Sequence, residues 1–121
     1  MARRGSSKDR SVRQEEDIAR WYGGRRSPSS GASMSDLGDV RTDTHLFECK
    51  VRGEFDPDKD PPKSISISMA DWTKITDEAL EAGRYPVMAL RIYQPDHVLA
   101  DRDGWLDLIV RHVHDDLDGR S

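Results

Sequence analysis

The sequence predicts an α/β fold in which helices pack on a mixed β-sheet. Three observations carry this. Two segments have helical periodicity. Five have the short apolar or alternating pattern of strands. The two kinds interleave along the chain in the order α-β-β-β-α-β-β. A length of 121 residues suits one domain.

Residues 1–10 hold Arg, Ser, Gly and Lys without periodicity and are expected to form a disordered basic arm ahead of a single domain over 11–121. Ser11 is placed to cap a helix that runs to Tyr22 and stops at Gly23-Gly24. On a helical period Glu15, Ile18, Ala19 and Tyr22 share one face. The polar stretch "RRSPSSGASMSDLG" reads as a loop, and strands follow at about 37–41 and 45–52. The acidic loop "GEFDPDKDPPK" carries three prolines and suits neither helix nor strand. "SISIS" alternates strictly and predicts a strand over 64–68 with one buried face. "MADWTKITDEALEAGR" is the strongest helix, with an apolar stripe of Met69, Trp72, Ile75, Ala79 and Leu80 and a stop at Gly83. "YPVMALRIY" is apolar almost throughout and predicts a central or fully covered strand, and "WLDLIVRHV" a further one. The tail "HDDLDGRS" has room for one helical turn at most.

Hydrophobic residues are 35% of the chain and charged residues also 35%, so the core is modest and a homodimer would add buried surface. No run of about 20 apolar residues exists to span a membrane. The basic N-terminus has no apolar segment behind it, unlike a secretory signal. The single cysteine, Cys49, excludes an intramolecular disulfide and a cysteine-rich zinc site, and a cytoplasmic setting is expected. Charge is uneven: residues 1–30 carry a net +4 and residues 31–121 a net −8. A basic segment before an acidic body fits contact with phosphate through the N-terminal part, or a solvated tail.

The chemistry concentrates in "GDVRTDTHLFECK". If Asp43-Thr44 is a two-residue turn, Thr42 pairs with His45 and Asp39 comes to lie opposite Glu48. Directly opposed like charges are destabilising and ask for a reason. A divalent cation is one, since Mg²⁺ takes oxygen ligands from a few carboxylates, water and phosphate. Glu48 and Lys50 are two apart and share a strand face, while Phe47, Cys49 and Val51 point the other way into the core. Two acids, a metal-activated water and a cation beside the attacked phosphate are what metal-assisted phosphodiester hydrolysis requires. The competing reading is an ordinary solvent-facing side of a hairpin. Glu15, a carboxylate on an apolar helix face, points to pairing or metal binding, with Glu16 as its rival and a helix-edge position as the plain reading.

Taken in order, "EEDIARWYGGRRSPSSGA", "GDV", "FECK", "SISIS", the amphipathic helix and "YPVMALRIY" resemble the Holliday-junction-resolvase-like branch of the PD-(D/E)XK nucleases, especially small phage-encoded members. The likeness spans roughly residues 11–111. It implies a restriction-endonuclease-like mixed sheet flanked by helices and a Mg²⁺-dependent DNA endonuclease (Mn²⁺ substituting) acting in DNA recombination. It also implies branched DNA as partner, often a homodimer, and the host cytoplasm as setting if phage-encoded. By this resemblance Asp39, Glu48 and Lys50 are catalytic, Asp39, Glu48 and Glu15 hold the metal, and Arg25, Arg26, Ser30 and Gly31 hold the DNA backbone. Gly38 stands where many relatives have proline, and the acidic loop 53–63 departs from the pattern. An exonuclease or nicking enzyme on unbranched DNA would use the same residues, and a non-catalytic DNA-binding module could keep the fold.

Other motifs carry less. Asp56, Asp58 and Asp60 begin like a calcium loop, but Pro61 and Ile67 occupy the positions that need Gly and Glu. His112 and His114 lack a third zinc ligand nearby, and no nucleophile-elbow signature supports Ser/His/Asp hydrolysis. Trp72 and Trp105 read as core anchors rather than base-stacking residues.

Overall fold

Five strands form one mixed sheet with a helix on each face, in the order α1 (Ser7–Tyr22), β1 (Arg25–Arg26), β2 (Val40–Arg41), β3 (His45–Arg52), α2 (Met69–Ala82), β4 (Tyr85–Gln94) and β5 (Gly104–Val110). The computed structural model describes residues 7–27, 38–52, 64–94, 104–113 and 115. The strands lie in sequence order across the sheet. β3 and β4 are parallel and every other pair is antiparallel. A parallel pair needs a crossover, and α2 occurs in that connection. The α/β class and the mixed sheet are as the sequence predicts.

The element letters match the predicted string, but one strand has changed identity. Residues 64–68 are not a strand. The Ser-Ile alternation pairs with no strand of the sheet, whose neighbours are β1 to β5 in order. Ser68 instead caps α2, its side chain accepting from Asp71 N. The third strand is β1, which pairs Arg25 with Arg41 and Arg26 with Val40. Gly24 permits this approach: a Cβ there would lie 2.5 Å from Arg41 O. The first helix also starts earlier than expected, at Ser7, so residues 7–10 are helical. The last strand ends at Val110, before His112. Residues 1–6, Ser30 and Gly31, Leu37, the acidic loop 53–63, the Trp105 side chain and His114 lie outside the described residues.

The two faces of β3 feed two cores. Phe47 packs with Ile18 of α1 and with Val40, Val87 and Ala89, with Ala19, Tyr22 and Cys49 at the edge. Leu46 packs on the other face with Ile75 and Ala79 of α2, flanked by Trp72. Both faces are therefore covered, which does not fit the competing reading of an ordinary solvent-facing side. Met69 and Leu80 are 68% and 80% exposed, so the buried stripe of α2 is Trp72, Ile75 and Ala79 alone. β4 is central, as its apolar run predicts, and Pro86 to Ile92 are buried.

Arg91 interrupts that run and is fully buried. Its Nη1 donates to Asp17 Oδ2 of α1 at 2.9 Å, and its Nε and Nη2 form a two-pronged pair with Asp107 of β5 at 2.8 and 3.0 Å. Trp21 lies over the guanidinium, 5.6 Å from ring centre to Cζ. Burial works against the charge, but the two carboxylates outweigh it and raise the Arg91 pKa. One side chain thus ties helix, central strand and edge strand. We expect Arg91→Ala to cost about 3 kcal/mol or more in urea unfolding, because it strands Asp107 without its cation and leaves Asp17 only the exposed Arg20; a loss under about 1 kcal/mol would contradict that role.

Candidate active site

The hairpin register is the one the turn arithmetic predicts. Thr42 N donates to His45 O, Arg41 pairs with Leu46, and Val40 with Phe47. The Thr42 hydroxyl fixes the turn by accepting from Thr44 N and His45 N. One step further out Asp39 N donates to Phe47 O. There β2 ends, and the Asp39 carboxylate takes the next rung: Cys49 N donates to its Oδ2 at 2.8 Å. Asp39 and Glu48 thus share one end of the hairpin on the α2 face.

That face is not solvent-facing. Glu48 is 5% exposed. Lys50 Nζ lies 3.2 Å from its Oε2. Lys74 Nζ of α2 lies 3.5 Å from its Oε1 and 3.1 Å from Glu78 Oε2. Glu78 in turn accepts from Gly38 N at 2.9 Å, so α2 holds both the acid of β3 and the bend that presents Asp39. Gly38 is needed at that bend. Its φ is +71°, and a Cβ would sit 2.6 Å from Leu46 Cγ. Burial works against the Lys74 charge, but Glu78 and Glu48 outweigh it and its pKa is raised.

Glu15 of α1 is partly buried, and Arg26 Nε of β1 donates to its Oε1 at 3.1 Å. It is near enough for its charge to act on Asp39. Arg26 is thereby engaged within the protein, whereas Arg25 is exposed. The neighbouring Gln14 is buried and its Nε2 donates to Lys50 O and Ala89 O, pinning α1 across β3 and β4. Its Oε1 is buried with no partner among the described residues, a demand a water would meet.

Electrostatics set the site apart. Burial is the main cause that pushes the Asp39 pKa from 3.8 up to about 6, with Glu48 and Glu15 adding to it and the Cys49 N–H and Lys74 opposing it. The Cys49 thiol is pushed well up by burial and by the same three acids, which leaves it protonated and suits it to packing rather than nucleophilic attack. The structure thus brings Asp39, Glu48 and Lys50 together with Glu15 close by. The sequence reading missed Lys74, Glu78 and Gln14. Lys74 and Glu78 each precede a stripe residue, Ile75 or Ala79, and form an i,i+4 pair; Gln14 lies four before Ile18.

The donors suit a hard cation. Asp39 and Glu48 offer oxygen only, and an added cation would favour the ionised form of Asp39 against the burial and the acid repulsion that raise its pKa. Among the described residues no three His, Cys, Asp or Glu side chains already stand as a metal cage. Asp39 and Glu48 therefore fit an ion completed by water and phosphate, with Glu15 joining only on release from Arg26. No helix among the described residues is long and apolar enough to cross a membrane. Comparisons with protein-family models, with curated proteins and with solved structures find no match.

The Asp39 shift makes a signed prediction for the metal-free protein. The folded state holds this proton more tightly than the unfolded chain, so its contribution is full below pH 3.8 and is lost as pH rises through about 6. The roughly two-unit shift makes ionised Asp39 a burden of up to about 3 kcal/mol. Asp39→Asn, which can still accept from Cys49 N, is expected to melt higher than the wild type at pH 8 and level with it near pH 4. A pH-independent difference in thermal melting would contradict the assignment.

Proposed function

We propose that this protein is a Mg²⁺-dependent endonuclease that hydrolyses phosphodiester bonds in branched DNA. The observation that carries the reading is the pairing of partly buried Asp39 with buried Glu48 at one end of a hairpin, with Lys50 on Glu48 and an Asp39 pKa of about 6. A carboxylate whose pKa is raised by burial and by neighbouring acids is a candidate for a functional site. The mixed sheet flanked by helices agrees with the restriction-endonuclease-like fold that the sequence resembles.

Asp39 and Glu48 would hold the ion, which when bound supplies an activated water and offsets charge on the attacked phosphate. Above about pH 6 Asp39 is ionised and ready for that task. Lys50 swings between Glu48 and the substrate, orients the attacking water and steadies charge on the phosphate as it develops. Lys74, 59% exposed in its side chain, holds Glu48 in place as Lys50 leaves it. Arg25, Arg26, Ser30 and Gly31 hold the DNA backbone, Arg26 by exchanging Glu15 for phosphate. A four-way junction has two symmetric scissile strands, so the working form is a homodimer with one centre per copy.

One observation favours a second reading. Glu48 and Glu15 already have resident cations in Lys50, Lys74 and Arg26, as a non-catalytic DNA-binding module would. Cleavage separates the two. With Mg²⁺ or Mn²⁺ the wild type is expected to place paired nicks in a four-way junction and to leave matched linear duplex and single strand intact. Lys50→Ala should lose more than about 100-fold in rate while binding the junction nearly as well. Equal cleavage by wild type and Lys50→Ala would refute the mechanism. Junction binding without cleavage would favour the module, and cleavage of linear DNA a nicking enzyme or exonuclease.

A further inference from the structure

We propose that the cavity beside the closed end of the β2–β3 hairpin is a phosphate-binding site distinct from the acidic pair, in which Arg25, already placed on the DNA backbone, is joined by Arg41 and Arg84. The cavity has a volume of about 390 Å³ and a polar lining, completed by Thr42, Asp43 and the Gly23-Gly24 turn. Arg25 and Arg41 are direct partners across the β1–β2 ladder. Like charges in that relation are destabilising. Among the described residues neither arginine forms an ion pair, so no salt bridge relieves the repulsion, and Asp43 is the one carboxylate of the lining.

Arg84 enters from the turn after α2, and its guanidinium is preset. Nε donates to Thr42 O at 2.8 Å and Nη1 to Ala82 O at 3.2 Å. Its orientation is therefore fixed before any ligand arrives, which lowers the ordering cost of binding. Three guanidinium groups against one carboxylate, Asp43, leave the cavity positive in a protein whose net charge is −4. Planar N–H forks match phosphate oxygens better than they match any neutral ligand. Gly24 keeps the two arginine strands together, since a side chain there would strike Arg41 O.

The hairpin links this cavity to the acidic pair. Thr42 stands three residues from Asp39, roughly 10 Å along a strand. A phosphate held here would lie beyond the one at Asp39 and Glu48. That its owner is a nucleic-acid backbone rests on the function proposed above; the anion site itself does not.

The test is titration of the full chain with inorganic pyrophosphate, followed by amide NMR, beside junction DNA binding at several salt concentrations. Saturating shifts at residues 23–25, 41–43 and 84 are expected, and these should vanish in Arg25→Gln/Arg41→Gln while its remaining spectrum stays that of the folded protein. Asp43→Asn, which removes the opposing charge, should tighten pyrophosphate. For DNA, the double variant should flatten the slope of log K against log salt by about 0.9 for each phosphate that it no longer neutralises. Absent shifts in the wild type, or shifts that survive in the double variant, overturn the site. Shifts with an unchanged DNA slope overturn the backbone as its ligand and leave a small phosphate compound. Pyrophosphate binding with no DNA binding at all keeps the site and fails the nuclease reading instead.

Discussion

The register of the β2–β3 hairpin is the constraint on which the rest of the site depends. A strand side chain changes face with every residue, so a slip of one would send Glu48 and Lys50 into the α1 core and Phe47 under α2. Three local devices prevent the slip. The Thr42 hydroxyl caps the turn, Gly38 packs its bare Cα against Leu46, and the Asp39 carboxylate substitutes for a ladder carbonyl at Cys49 N. The third device is also a functional group. Asp39 is thus held by the same bond that finishes the hairpin, and its position is as rigid as the sheet.

Placing two acids there has an electrostatic cost, and the surrounding structure manages it. Lys50 comes from the same strand, Lys74 from the helix across it and Arg26 from the edge strand beside Glu15. Every cation sits on a different element, so the charge balance and the tertiary fold depend on each other. Asp39 is the exception: among the described residues its carboxylate accepts from a neutral N–H, which only partly offsets the burial that, with Glu48 and Glu15, pushes its pKa up to about 6. The imbalance is local, and it falls where an added cation would relieve it. Farther along the sheet Arg91 shows the opposite case, a buried charge fully answered by two carboxylates, which reads as architecture rather than chemistry.

Much of this was legible in the sequence. A two-residue turn and a period of two were enough to oppose Asp39 to Glu48 and to align Lys50 with Glu48, and the 3.6 period found α2 and its Gly83 stop. What escaped depends on tertiary partners. "SISIS" has the alternation of a strand, yet it pairs with no strand of the sheet. Arg25–Arg26 has no pattern to detect, being two charged residues long, and forms a strand only because Gly24 lets it reach β2. Lys74 and Glu78 look like surface charge on an amphipathic helix until α2 is docked over Glu48. Arg91 reads as a blemish in an apolar strand until Asp17 and Asp107 are brought to it from either side.

The central claim is that Asp39 and Glu48 form a cation platform, and linkage between ion binding and folding tests it without reference to any substrate. The measurement is thermal unfolding at pH 8 across a Mg²⁺ titration, for the wild type and for Asp39→Asn. Binding to the folded state alone raises the midpoint steadily with ion concentration once the dissociation constant is passed. The wild type is expected to show that rise, with the rise shrinking at pH 5 where Asp39 is protonated, and Asp39→Asn is expected to show a flat line. A flat line for the wild type, or an equal rise in both proteins, would contradict the account.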